Sequence, residues 1–144
     1  MLEFKKEMEV RWSDIDAHRH LKHTAYSAYA AHTRTSWMDS IGYSMQRMIE
    51  DGFGAVLLKE ETEYYREVIL GDIVTIDVIF LGQSKDAARW QFQNNIYKPS
   101  GKIAAKHIVH GAWIDLKIRK IATPKKEFLD KLNELPKSED FKII

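Results

Sequence analysis

Two carboxylates and three imidazoles fall within ten residues in the segment Arg11-Trp12-Ser13-Asp14-Ile15-Asp16-Ala17-His18-Arg19-His20-Leu21-Lys22-His23-Thr24-Ala25-Tyr26. An aspartate in such a loop can act as a nucleophile or take a proton from water. A helix that starts at the end of the loop adds unpaired backbone N–H groups and a positive dipole end. Together they can attack an activated carbonyl and hold the oxyanion that forms. The same side chains, Asp14, Asp16, His18, His20 and His23, are also types that ligate zinc. Their spacing follows no helical His-x-x-x-His pattern, so the metal-free reading is the stronger. Asp-x-Asp before a helix also serves as a turn and capping device.

Other chemistries are excluded or weakened by what is missing. There is no cysteine, which removes thiolate catalysis, disulfides and Cys-type metal centres. Gly42-Tyr43-Ser44-Met45-Gln46 lacks the second glycine of a serine elbow, and no Gly-rich phosphate loop occurs. His107 and His110 fall on a predicted strand, where local hydrogen bonds are expected.

The loop must be held by its neighbours. Residues 2–12 alternate, with Leu2, Phe4, Met8, Val10 and Trp12 opposite Glu3, Lys5, Glu7, Glu9 and Arg11, which predicts a strand with one buried face. Over 24–40 the period changes. Tyr26, Tyr29, Thr33 and Trp37 recur at helical steps among alanines, and the stripe reads as core packing against a flat partner. Thr24 is the expected N-cap and Gly42 the expected stop. From 55 onward the chain reads as strands at 55–69, 73–81, 87–97 and 102–118, with Gly111 a candidate bulge. A short tail helix is expected over 125–135.

Strands joined by tight turns are antiparallel neighbours, so the fold class is α+β: a curved antiparallel sheet of about five strands around one long helix. With 144 residues, 44% hydrophobic and 30% charged, a single globular domain over 1–144 is expected. The net charge of +1 gives no argument for nucleic acid or an acidic surface. No apolar run approaches the ~20 residues of a membrane span. The opening MLEFKKEMEV carries charges where a signal peptide needs an apolar stretch, so a cytoplasmic location is expected. One helix covers only one face of the sheet, and the strands at 73–81 and 103–118 are apolar on both faces. A homodimer, or a tetramer of dimers, is therefore expected.

Arg11 to Tyr26 resembles the opening motif of the hotdog-fold acyl-CoA thioesterases, in particular the 4-hydroxybenzoyl-CoA thioesterase and YbgC-like branch. Tyr65-Arg66-Glu67-Val68-Ile69-Leu70-Gly71-Asp72 is similar to the family's step from a tyrosine and an apolar pair through Gly-Asp into the next strand. The resemblance implies a hotdog fold and hydrolysis of an acyl thioester, on CoA or on an acyl carrier protein, without metal or cofactor. Coenzyme A would enter only as part of the substrate. Asp16 falls at the family's catalytic carboxylate, and His23 where a helix-start N–H polarises the thioester carbonyl. Tyr26 matches the tyrosine of the first helical turn, and Asp14 shapes the loop. CoA phosphates need cations at the site mouth, for which Lys85, Arg89, Arg119 and Lys120 are candidates. The sequence departs from many relatives in its bulky, cationic stretch His18-Arg19-His20-Leu21-Lys22-His23. That leaves a second reading, a non-catalytic hotdog module that binds an acyl thioester or a lipid, and a third, a hydrolase using the histidines to hold a metal.

Overall fold

The computed structural model describes residues 3–144. Leu2, the first position of the expected apolar row, lies outside them. Strand β1 (Lys5–Glu9) is followed by a 3-10 turn at Trp12–Asp14 and by helix α1 (His23–Ser40). A six-residue helix, α2 (Met45–Glu50), leads into β2 (Phe53–Tyr64). Then come β3 (Ile73–Asp77), β4 (Ile79–Gln83), β5 (Arg89–Tyr97), β6 (Ile103–Asp115) and the two-residue β7 (Lys120–Ile121). Helix α3 (Lys126–Leu132) and β8 (Lys137–Ile143) close the chain.

One sheet contains all eight strands of the described residues. β2 pairs with β6, β6 with β5, and β5 with both β3 and β4, which form one run broken at Val78; all these pairings are antiparallel. β1 lies on β3 and β8 runs parallel to β4, so the two terminal segments share the far edge. This is the curved sheet around one long helix that the residue pattern predicts. All five expected strands are present, the one at 73–81 split at Val78 into β3 and β4, and β7 and β8 add to them.

Several boundaries differ from expectation. β1 ends at Glu9 rather than at 12, because the chain turns there and leaves Trp12 78% exposed. The N-cap of α1 is Lys22 rather than Thr24, and no side chain caps the first turn. Gly42 ends the helix as expected, with φ +89° and its N–H on the Asp39 carbonyl. Gly111 is not itself the bulge. The register shift lies across from it in β2, between Leu57 and Lys59. Gly111 is required because a Cβ there would meet the Trp90 ring at 2.3 Å and the Val56 carbonyl at 2.5 Å.

Under α1 the core divides in two. At the helix N-terminal half, Tyr26 and Tyr29 pack with Val10, Val68, Val74 and Ile96. Around its C-terminal half, Trp37 and Met38 join Phe80, Trp90, Phe92, Trp113 and the α3 residues Phe128 and Leu132. A buried polar belt separates them: Thr33 on the helix, with Asn94 and His107 from facing strands. Each of these carries a hydrogen bond, Thr33 to the Tyr29 carbonyl, Asn94 to the Asp77 carbonyl and His107 Nδ1 to Thr62.

Candidate active site

The carboxylate-rich loop is anchored by Leu21, buried in the core under α1 with Ile15 packed against it, and is shaped by short hydrogen bonds. Ile15 and Leu21 pair across it, and the Leu21 N–H donates to the Val68 carbonyl at 2.7 Å. Asp16 sits at its tip. Its Oδ1 accepts from the backbone N–H of His18 at 2.9 Å and of His20 at 3.2 Å. Its Oδ2 makes no hydrogen bond among the described residues. Arg19 holds φ +65°, a left-handed conformation that a non-glycine residue adopts against strain. Desolvation pushes Asp16 up, but the His20 and His18 N–H groups and both imidazoles outweigh it. The carboxyl is held below its ordinary range.

Asp14 is engaged differently. Its Oδ2 accepts from the Tyr29 hydroxyl at 2.6 Å and from Arg11 Nε at 3.2 Å. The Tyr29 bond, against desolvation and aided by Arg11, lowers its pKa. The Tyr29 contact ties the loop to α1, while the Arg11 contact closes the turn at the loop's start, so Asp14 is engaged in holding the loop's shape.

His23 is the first residue of α1 and is exposed. Its N–H lies at an uncapped helix start, where no intrahelical acceptor exists. Its carbonyl accepts from the Tyr64 hydroxyl at 3.2 Å. Tyr26 is buried one turn on, with its ring edge-on to Tyr64 at 5.1 Å. Burial, with the charges of Tyr64 and Asp16, pushes the Tyr26 hydroxyl up to about 12, so it stays protonated. His23 and Tyr26 share the first turn of α1, and Tyr64 from β2 touches both. Asp16 lies near enough for its charge to act on the Tyr26 hydroxyl. Tyr64 carries no signal of this role in the sequence.

The four expected phosphate-binding cations are not brought there within one chain. Lys85 and Arg89 flank the turn into β5, and Arg119 and Lys120 the turn into β7, at the other end of the sheet. The length of β5, about 26 Å at ~3.3 Å per residue, separates that end from the loop. A different set is close by. Arg66, Lys98 and Lys102 line a shallow cleft with Glu67 and Ser100. It adjoins the loop, because His20 Nε2 lies 2.9 Å from Glu67 Oε2 and Lys98 Nζ donates to the Glu67 carbonyl at 2.6 Å. Its signal in the sequence is the cationic turn Lys98-Pro99-Ser100-Gly101-Lys102. The histidines do not assemble a metal centre: among the described residues no three His, Asp or Glu side chains converge to hold an ion.

The family profile of the thioesterase-like superfamily matches residues 10–132, from the end of β1 through α3. The chain belongs to the thioesterase-like superfamily. By that membership it is a thioester hydrolase. The fold is similar to that of a Staphylococcus aureus protein solved in complex with CoA, at 20% identity and TM-score 0.85, covering 92% of this chain and 83% of that one. It is also similar to a 1,4-dihydroxy-2-naphthoyl-CoA thioesterase from Synechocystis, at 20% identity and TM-score 0.81 over 92% and 96% of the two chains. A probable thioesterase from Escherichia coli matches at 22% identity and TM-score 0.74, over 91% and 97%. No protein among the curated sequences matches. No helix among the described residues of this superfamily member is long and apolar enough to cross a membrane.

Proposed function

We propose that this protein hydrolyses an acyl-CoA to a carboxylic acid and free CoA, with Asp16 as the catalytic carboxylate. The observation that carries the proposal is a carboxylate with one oxygen fixed by two backbone N–H groups and the other open, at the uncapped mouth of α1. A thioester has an electrophilic carbonyl and a good leaving group. Asp16 Oδ2 then either attacks the carbonyl carbon, giving a mixed anhydride that water opens, or takes a proton from the attacking water. In both routes the carbonyl oxygen gains charge against the His23 N–H and the positive helix end. The thiolate departs and is protonated from solvent. No step calls for a metal or a cofactor.

The cleft of Arg66, Lys98 and Lys102 supplies cations beside the loop for the phosphates of CoA. Lys85, Arg89, Arg119 and Lys120 reach such a substrate only from a second subunit. β2 supports that arrangement: among the described residues it pairs on one side only, and its Leu57 and Leu58 are 49% and 54% exposed. The working form is a homodimer or a tetramer of dimers, with the site at a subunit interface. Light scattering at micromolar concentration tests this, and a monomer overturns it.

Activity is tested by free-thiol release from a panel of aromatic, short-chain and long-chain acyl-CoAs. Turnover of at least one, unchanged by a chelator, is expected. Binding without turnover across the panel would favour a non-catalytic module, and loss on chelation a metal hydrolase.

A further inference from the structure

Away from the loop, a cavity of about 440 Å³ opens between the C-terminal half of α1, α2 and the start of β2. That volume falls in the ~300–1,000 Å³ range of small-molecule sites. Its wall is apolar and aromatic, with Trp37, Tyr43, Phe53, Val78, Phe92 and Trp113 on it. Among the described residues, Arg34 is the one charged residue on that wall. It lies eleven residues after His23, about 16 Å along the helix at 1.5 Å per residue, so the cavity is separate from the Asp16 loop.

Arg34 is unusually poorly matched. Nη1 donates to the neutral Asn94 Oδ1 at 2.8 Å, the single hydrogen bond its guanidinium makes among the described residues. No carboxylate of the described residues is close enough to form an ion pair with it. Its five donors are laid out for two-point contact with a planar anion. Burial, only partly offset by the charge of Glu60, pushes the guanidinium down to about 10. Glu60 itself is turned to His107, with Oε1 3.5 Å from Nε2. His107 adds no second positive charge there, since burial and Arg34 hold it neutral, with its pKa lowered to about 4. A partly buried cation beside an apolar cavity, with most of its donors open, calls for an anion that brings its own apolar body.

We propose that this cavity binds a monocarboxylic acid, whose carboxylate pairs with Arg34 and whose hydrocarbon or aromatic body fills the space toward Tyr43 and Phe53. The site needs no turnover and stands apart from the proposed catalysis. Free acids of this class are also what thioester hydrolysis releases, so such a site would let product accumulate on the enzyme away from Asp16.

The test is titration of the full-length protein with decanoate and, separately, with 1-decanol, by calorimetry and by the fluorescence of the wall tryptophans. Decanoate is expected to saturate and to bind at least tenfold more tightly than decanol. Arg34→Met should abolish that preference while decanol binding persists. Equal affinity of the wild type for both probes, no saturable binding, or an unchanged preference in Arg34→Met would each overturn the proposal. Thermal melting of Arg34→Met adds a second readout. Removing an unpaired cation should leave Tm unchanged or higher, whereas a lower Tm with dissociation into smaller species would place Arg34 in a subunit contact and also overturn it. Should Arg34→Met not fold, Glu60→Gln serves instead. Loss of the competing negative charge should tighten decanoate binding, and no change or weakening counts against the site.

Discussion

The two ends of α1 are built on opposite principles. At its start, the chain holds Asp16 through backbone N–H groups in an exposed loop that accepts left-handed strain at Arg19. At its end, three tryptophans and several other aromatic rings surround a cavity with almost no polar contact. The first end has directed hydrogen bonds, an open carboxylate oxygen and free helix N–H groups, and so can stabilise charge that develops during a reaction. The second has volume and apolar surface, and so can hold a ligand body. Between them the belt of Thr33, Asn94 and His107 keeps the two hydrophobic clusters distinct. The two proposals thus place chemistry and binding at different ends of one helix, whose N-terminus is uncapped while its C-terminal half is packed in aromatics.

The sharpest way to break that division is at Gly111. In Gly111→Ala the new Cβ would lie 2.3 Å from Trp90, so Trp90 and the cavity end must shift while the Asp16 loop is untouched. A loss of about 3 kcal/mol or more in denaturant unfolding is expected. A change under ~0.5 kcal/mol, the range of unremarkable surface substitutions, would show that the aromatic end adapts freely.

The belt is tested by pH. Folded His107 binds its proton more weakly than the unfolded residue, its pKa lowered to about 4 by burial and then by Arg34. Its stabilisation is therefore full above the unfolded value near ~6.5 and is lost as pH falls from there toward 4, by on the order of 3 kcal/mol. His107→Gln should flatten the fall of Tm over that window. A variant with the wild-type slope would place the acid sensitivity elsewhere.

At the loop end, His23→Ala keeps the backbone N–H and should lose less than ~10-fold in kcat, against the ~10²–10⁴-fold typical of a proton-transferring side chain. A larger loss would assign the imbidazole, not the N–H, the chemical role. The smallest effect is expected at Arg19. Arg19→Gly relieves the φ +65° strain, worth about 1–2 kcal/mol, but frees the unfolded chain, leaving a gain of about 1 kcal/mol or less in Tm-derived stability. A clear drop in Tm would mean that the Arg19 side chain has a stabilising contact.

Much of this arrangement was legible in the residues. The alternation of 87–97 and the helical stripe from Tyr26 to Trp37 each report a single buried face, which is what periodicity measures. The loop was legible because its two aspartates and the helix start are adjacent in sequence. α2 was not, since Met45–Glu50 is too short to show a period and is set by the Ser44 cap, whose Oγ accepts from the Arg47 N–H. β8 was missed because KSEDFKI buries little and is ordered by pairing with β4. Arg66 and Lys98 are brought together by tertiary folding, as Lys98 reaches Glu67 across 31 positions. Arg34, a lone cation in mid-helix, reads as solvent-facing until the cavity beside it is seen.

The account rests on Asp16, and kcat for Asp16→Asn beside Asp14→Asn on the best panel substrate tests it most directly. Asparagine keeps the shape at both positions. At 16 it removes the group that must be ionised to attack or to take a proton, so kcat should fall at least ~10²-fold with little change in KM. At 14 it weakens the contacts to Tyr29 and Arg11 and should act mainly through stability, lowering Tm with kcat within ~10-fold, as for loss of hydrogen bonds to a charged group. Normal turnover by Asp16→Asn together with an inactive, well-folded Asp14→Asn would contradict the assignment of the catalytic carboxylate.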